Sequence, residues 1–131
     1  MKKAFAMVTV LTTLCACQPL PLEMSFEASS RIWTLVEIDG EPFRATATLR
    51  FGKGNRINGR APCNRYFAKQ SGTYPSFSIG PVGITRRACP DLASEAKFLH
   101  AIERADTAAI EEGLLVLTGP EGLKLVFKLT G

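Results

Sequence analysis

The 131-residue chain contains one histidine, one tryptophan and four cysteines, and this poverty excludes a good deal. No Ser–His–Asp set can be completed around the single His100, which sits beside Lys97 and Arg104 on the polar side of an expected helix, a solvated position. A structural zinc site wants four ligands and finds too few. Glu111 and Glu112 are neighbours on an expected strand, so they point to opposite faces and cannot act as an acid/base pair. Gly54 to Gly59 carries a phosphate-loop glycine spacing, but Arg60 and Ala61 stand where Lys and then Ser or Thr are required, and Pro62 and a strand follow in place of a helix; the segment reads as a β-turn. Basic runs interleaved with aromatics are lacking, and the formal charge of +4 falls to +2 once Lys2 and Lys3 are set aside. Nucleic acid is therefore not an expected partner. No catalytic residue, no metal and no cofactor is expected.

Nor is there an apolar run of the roughly 20 residues that span a bilayer. The chain instead opens MKK, continues with the apolar stretch Ala4 to Ala16, and reaches Cys17, the parts of an export signal. Leu14-Cys15-Ala16-Cys17 resembles the lipobox of bacterial lipoproteins, which implies cleavage before a cysteine diacylated on its thiol. Residues 1–16 are then a signal peptide, Cys17 is lipidated and first in the mature chain, and 17–30, with two prolines and little periodicity, is a tether. An ordinary secretory signal cut elsewhere is the alternative. In a Gram-negative host, Gln18 rather than Asp after the acylated cysteine points to the outer membrane, with the domain facing the periplasm.

Two cysteines remain in the exported part, Cys63 and Cys89. An even pair in that setting reads first as a disulfide, with two unpaired buried thiols as the alternative.

From Arg31 onward the pattern is mostly β. Arg31–Ile38 alternates Ile32, Thr34, Val36 and Ile38 against Trp33 and Leu35, apolar on both faces, which predicts a central strand, and Asp39-Gly40 is a turn signal. Further strands are expected over Thr46–Phe51, Arg56–Arg60, Asn64–Lys69, Thr73–Ile79, Val82–Arg87, Ala108–Glu112, Leu114–Thr118 and Leu123–Leu129. One helix starts at Pro90-Asp91, with Leu92, Ala96, Leu99, Ile102 and Ala105 as the stripe facing the sheet. The predicted class is α+β: a curved antiparallel sheet or partly closed barrel of about 7–8 short strands with one packed helix.

These residues carry a resemblance. Trp33-x-Leu35 with Ile38 and Gly40, Thr48-Leu49-x-Phe51, Ile57-x-Gly59, Cys63-Asn64-x-Tyr66, Thr85-Arg86-x-x-Cys89, Phe98-Leu99, Leu115-x-Leu117 and Leu125-x-Phe127 resemble, in order, the META domain family, whose bacterial members include the heat-shock protein HslJ. Pro62 departs from it, since a small residue is more usual before the cysteine. The resemblance runs from Arg31 to Leu129, places a META domain at 31–131, and implies a compact α+β fold and, in many members, a lipoprotein. It names no reaction. It implies a non-enzymatic cell-envelope protein with a stress-response role (heat shock, resistance to novobiocin) or a protein-interaction role. The alternative is a binding module such as a lysozyme-inhibitor-like or secretin-pilot-like lipoprotein, with an envelope protein as partner besides the membrane reached through Cys17. Arg60, Arg65, Arg86 and Arg87 are candidates for an anion- or partner-binding patch, against the plain reading of a solvated face. Asn64 and Thr85 are expected to hydrogen-bond backbone near Pro62.

Overall fold

A computed structural model describes residues 31–131; the expected signal segment 1–16, Cys17 and the tether 17–30 lie outside the described residues. In chain order the elements are β1 (Trp33–Ile38), β2 (Glu41–Pro42), β3 (Thr48–Gly52), β4 (Arg56–Arg60), β5 (Arg65–Ser71), β6 (Ser78–Ile79), β7 (Gly83–Ile84), α1 (Leu92–Glu103), β8 (Thr107–Glu111), β9 (Leu114–Thr118) and β10 (Lys124–Leu129). They build one antiparallel sheet in the order β6-β5-β4-β3-β1-β10-β9-β8, with β2 added to β1 and β7 to β5. Its two ends nearly meet. Ser76 bridges to Thr107, the Phe77 N–H donates to the Asp106 carbonyl at 2.8 Å, and the Ala108 N–H donates to the Pro75 carbonyl at 2.8 Å. The result is the expected α+β class, a barrel-like sheet with a single helix.

The central strand is β1, between β3 and β10, as its two apolar faces predict. Asp39 and Gly40 both have positive φ (53° and 81°), the geometry of the tight hairpin that turns β1 into β2. One expectation fails here. The register against β10 shifts between Leu35 and Glu37, and this bulge at Val36 brings Trp33, Leu35 and Ile38 all into the core, whereas strict alternation separates Ile38 from the other two. The strands expected over 73–79 and 82–87 shrink to two residues each: Pro75 has no N–H for a ladder in the first, and in the second the Arg87 N–H goes to the Asn64 side chain instead of a strand. Glu112 lies in the β8–β9 turn at φ 50°, not in a strand.

The helix is also rotated from its expected setting. Glu95, Phe98, Ala101, Ile102 and Ala105 are buried, while Leu92 is 46% exposed and Ala96 faces solvent. The reason is aromatic packing: Phe98 meets Tyr66 edge-to-face at 5.4 Å between ring centroids and Phe43 at 6.4 Å. Such a buried ring contributes several kcal/mol, about 3–5 on truncation to alanine, and outweighs the exposure of Leu92. His100 is exposed, as its polar neighbours predict.

Candidate functional site

β4 and β5 are joined by the four residues Ala61-Pro62-Cys63-Asn64, closed by the Ala61 N–H donating to the Asn64 carbonyl at 2.7 Å. Pro62 is accommodated because a turn position asks no ladder donor of it. Two segments converge on this loop: the irregular stretch 85–89 and the first turn of α1. Cys63 and Cys89 are joined in a disulfide, with Cα atoms 5.6 Å apart, so neither sulfur is available as a nucleophile or metal ligand.

Beside the disulfide lies a saturated polar cluster. Glu95, 5% exposed, accepts the Cys63 and Asn64 backbone N–H groups on Oε2, both at 2.8 Å, and the Asn64 Nδ2–H on Oε1 at 2.7 Å. The second Nδ2 proton of Asn64 goes to the Arg87 carbonyl at 3.1 Å. Its Oδ1 accepts the Arg87 N–H at 2.6 Å and the Thr85 hydroxyl at 3.0 Å. Thr85 Oγ1 in turn accepts the Arg65 N–H at 3.0 Å. Asn64 thus uses two donors and two acceptor sites, the full capacity of a carboxamide. The arrangement fastens two strand-less segments and a helix together, and every one of its bonds is internal.

The floor under this loop is set by Gly59. A Cβ there would lie 1.9 Å from the Thr48 carbonyl oxygen and 2.9 Å from the Tyr66 ring, so only glycine permits the close β3–β4 approach. Tyr66, 1% exposed, donates its hydroxyl to that same Thr48 carbonyl at 2.7 Å, and burial pushes its ionisation far above the usual tyrosine range. Trp33 and Gly40 take structural places as well, the first in the core and the second in the β1–β2 turn. The Trp33 indole N–H has no hydrogen-bond partner among the described residues.

Outside the cluster the loop borders a cleft of about 530 Å³ lined by Arg60, Arg65 and Arg87 together with Cys63, Asn64 and Thr85. Arg86 does not line it and is exposed on the 85–89 segment. The two ion pairs among the described residues, Lys97–Glu41 and Arg104–Glu121, involve none of the three lining arginines. Three cations around a concave surface, with no carboxylate partner among the described residues, attract anions. Among the described residues no group of His, Cys, Asp and Glu is placed to hold a metal ion.

Sequence reasoning missed two features. Glu95 is three and seven residues before Phe98 and Ile102, so the phase of the true buried face includes it; the Leu92–Ala96 stripe hid it. The second is charge segregation: between Glu41 and Asp91 the chain has nine Lys or Arg residues and no acid.

The family model described as META domain matches residues 27–130, nearly all of the domain that carries these features. The chain belongs to the META domain family. Its fold is similar to that of a protein from Burkholderia xenovorans solved by NMR, with a TM-score of 0.66, 21% identity and 99% of each chain covered. It is similar also to a DUF4847 family protein from Bacteroides vulgatus, with a TM-score of 0.60 and 14% identity over 80% of this chain and 95% of that one. At these identities the likeness concerns fold alone. No curated protein matches the chain significantly.

Proposed function

We propose that this META-domain chain is a non-enzymatic lipoprotein of the cell envelope, anchored at Cys17, that works by binding an anionic partner in a stress-response or protein-interaction role. One observation carries the binding part: the polar side chains able to do chemistry are used up internally in the Asn64–Glu95 cluster and the disulfide, while the cleft rim keeps Arg60, Arg65 and Arg87 open to solvent. A disulfide-pinned loop with a fixed backbone loses little backbone entropy on binding, and the guanidinium groups beside it offer planar forks suited to carboxylate or phosphate. The export signal and lipobox, together with the even cysteine pair, support the envelope placement.

The test has two arms. Mass spectrometry of the mature N-terminus is expected to show diacylglycerol on Cys17, and an unmodified Cys17 or cleavage elsewhere contradicts the anchor. Affinity capture of the protein from its own envelope is expected to retain a partner that the Arg60→Gln, Arg65→Gln double variant loses. Equal capture by both proteins contradicts the role of the cleft, and inhibition of lysozyme by the wild type alone redirects the reading to an inhibitor module.

A further inference from the structure

The arginines of the cleft continue onto a wider surface. On β3, β4 and β5 the residues that point away from the core include Arg50, Arg56, Asn58, Arg60, Arg65, Phe67 and Lys69, and these seven are all exposed. The ladder places Arg60 directly opposite Arg65, Arg56 opposite Lys69, and Asn58 between Arg50 and Phe67. Like charges directly opposed across strands destabilise a sheet. Two such pairs flank one aromatic residue here, and residues 42–90 supply no acid to relieve them. Phe67 is 62% exposed, and its ring lies against Gly83, where an added Cβ would meet ring atoms at 2.3 Å; the glycine lets the ring rest on the β7 backbone. A shallow apolar groove beside it is lined by Ile57, Ala68 and Pro81, with Arg56 and Lys69 at its edge. A single exposed phenylalanine needs no explanation. An aromatic ring with a cation on either side along its own strand and three more on the two neighbouring strands of the outer sheet face does.

The rows Arg60–Arg65 and Arg56–Lys69 are four residues apart along the strands, about 13 Å, and the face spans two strand spacings, about 10 Å. This is an outer sheet face of distributed positive charge with one exposed apolar ring, wider than the cleft that Arg60 and Arg65 border at its end. We infer that the β3–β5 face docks on an anionic phospholipid surface, with Phe67 entering the headgroup boundary and Arg50, Arg56, Arg60, Arg65 and Lys69 over the phosphates. Charge complementarity carries this: interfacial binding needs apolar insertion together with cations near anionic lipids, and the face supplies both. The inference rests on the envelope reading in one respect, since a lipid anchor holds the domain at high effective concentration beside the bilayer and makes a weak face sufficient. An acidic protein surface and a free phosphate are the other occupants that the test separates.

The test is co-sedimentation of the chain from residue 17 onward carrying Cys17→Ser, so that no acyl chain contributes. Its outcome is independent of the mass-spectrometric test of lipidation. Retention is expected on vesicles of phosphatidylglycerol with phosphatidylcholine and not on phosphatidylcholine alone, and it falls as salt is raised. Arg65→Gln is expected to weaken partition about fivefold and Arg60→Gln with Arg65→Gln about twenty- to thirtyfold, one factor per cation. Phe67→Ala is expected to weaken it by a factor on the order of five. Lys97→Gln, which removes the same charge from the helix, leaves it unchanged. Unaltered circular dichroism and melting of the variants show that they fold. The inference is overturned by equal binding to both vesicle types, by a loss in Lys97→Gln equal to that in Arg65→Gln, or by soluble polyglutamate binding without vesicle retention. Inorganic phosphate that releases the protein more strongly than chloride at matched ionic strength also overturns it, in favour of a discrete phosphate site.

Discussion

Two groups of polar side chains lie side by side at the β4–β5 end of the barrel, and they differ in how their hydrogen-bonding capacity is used. In the cluster around Asn64 and Glu95, themselves 6% and 5% exposed, donors and acceptors meet within the protein. On the neighbouring face, Arg60 and Arg65 oppose each other in solvent and join no ion pair among the described residues. Buried polar groups that are satisfied hold a structure, and lose heavily when one partner is removed. Exposed, unpaired cations contribute little to stability and remain free for a partner. On the proposed reading the cluster and the face divide the work, the first fixing the loop and the second offering it to a partner.

Substitutions that cross this division should separate the two roles. The largest effect is expected for Glu95→Ala, which strands the Cys63 and Asn64 N–H groups and one Asn64 amide proton; a loss of about 3–5 kcal/mol, read by denaturant titration, follows from leaving several buried donors unpaired. Next is the disulfide. Closing a loop with a sequence separation of 26 residues is worth about 3.5 kcal/mol in the chain-entropy model, so Cys63→Ser and Cys89→Ser should lower the melting temperature by similar amounts, with the double variant no worse than either. Labelling of both cysteines by alkylation of unreduced, unfolded protein would refute the bond.

Tyr66→Phe should cost about 1 kcal/mol through its bond to the Thr48 carbonyl. It also carries a pH signature. Burial raises the folded-state ionisation of Tyr66 above that of the unfolded chain, so the group's contribution is complete below about pH 10, where an unfolded tyrosine is still protonated, and is lost as pH climbs past that point. Melting curves recorded on both sides of this pH should show a smaller alkaline loss in Tyr66→Phe than in the wild type. The smallest stability effect belongs to Arg60→Gln with Arg65→Gln, within about 0.5 kcal/mol, although this variant should lose most in binding. A large drop in its melting temperature would place the arginines on the structural side of the division.

Much of the scaffold was legible from the sequence. The Asp39-Gly40 turn, the central β1, the helix after Asp91 and the final hairpin all follow from local pattern, because each is specified by residues adjacent in the chain. The misreadings share a cause in long-range structure. The Val36 bulge depends on the partner strand β10, and the helix face depends on Phe98 finding Tyr66 and Phe43. At the site, Cys63, Asn64, Cys89 and the arginines stand out by type. Glu95 does not, since an acid in the first turn of a helix ordinarily answers the dipole, and its two backbone partners lie 31 and 32 residues earlier. The basic face escaped notice because net charge averages over the chain, whereas the segregation becomes visible only when β3, β4 and β5 are laid side by side.

Amide hydrogen exchange tests the division most directly. The N–H groups of Cys63, Asn64 and Arg87 lie outside the strands and depend for protection on the Glu95 carboxylate and the Asn64 side-chain Oδ1. If that cluster locks the loop, these amides exchange only with global unfolding, in step with core amides of β5 and β10 and within the free energy of the whole domain. In Glu95→Ala those of Cys63 and Asn64 should open locally, orders of magnitude faster than the core, while Arg60→Gln with Arg65→Gln leaves them protected. Exchange in the wild type as fast as that of an exposed loop would contradict the account.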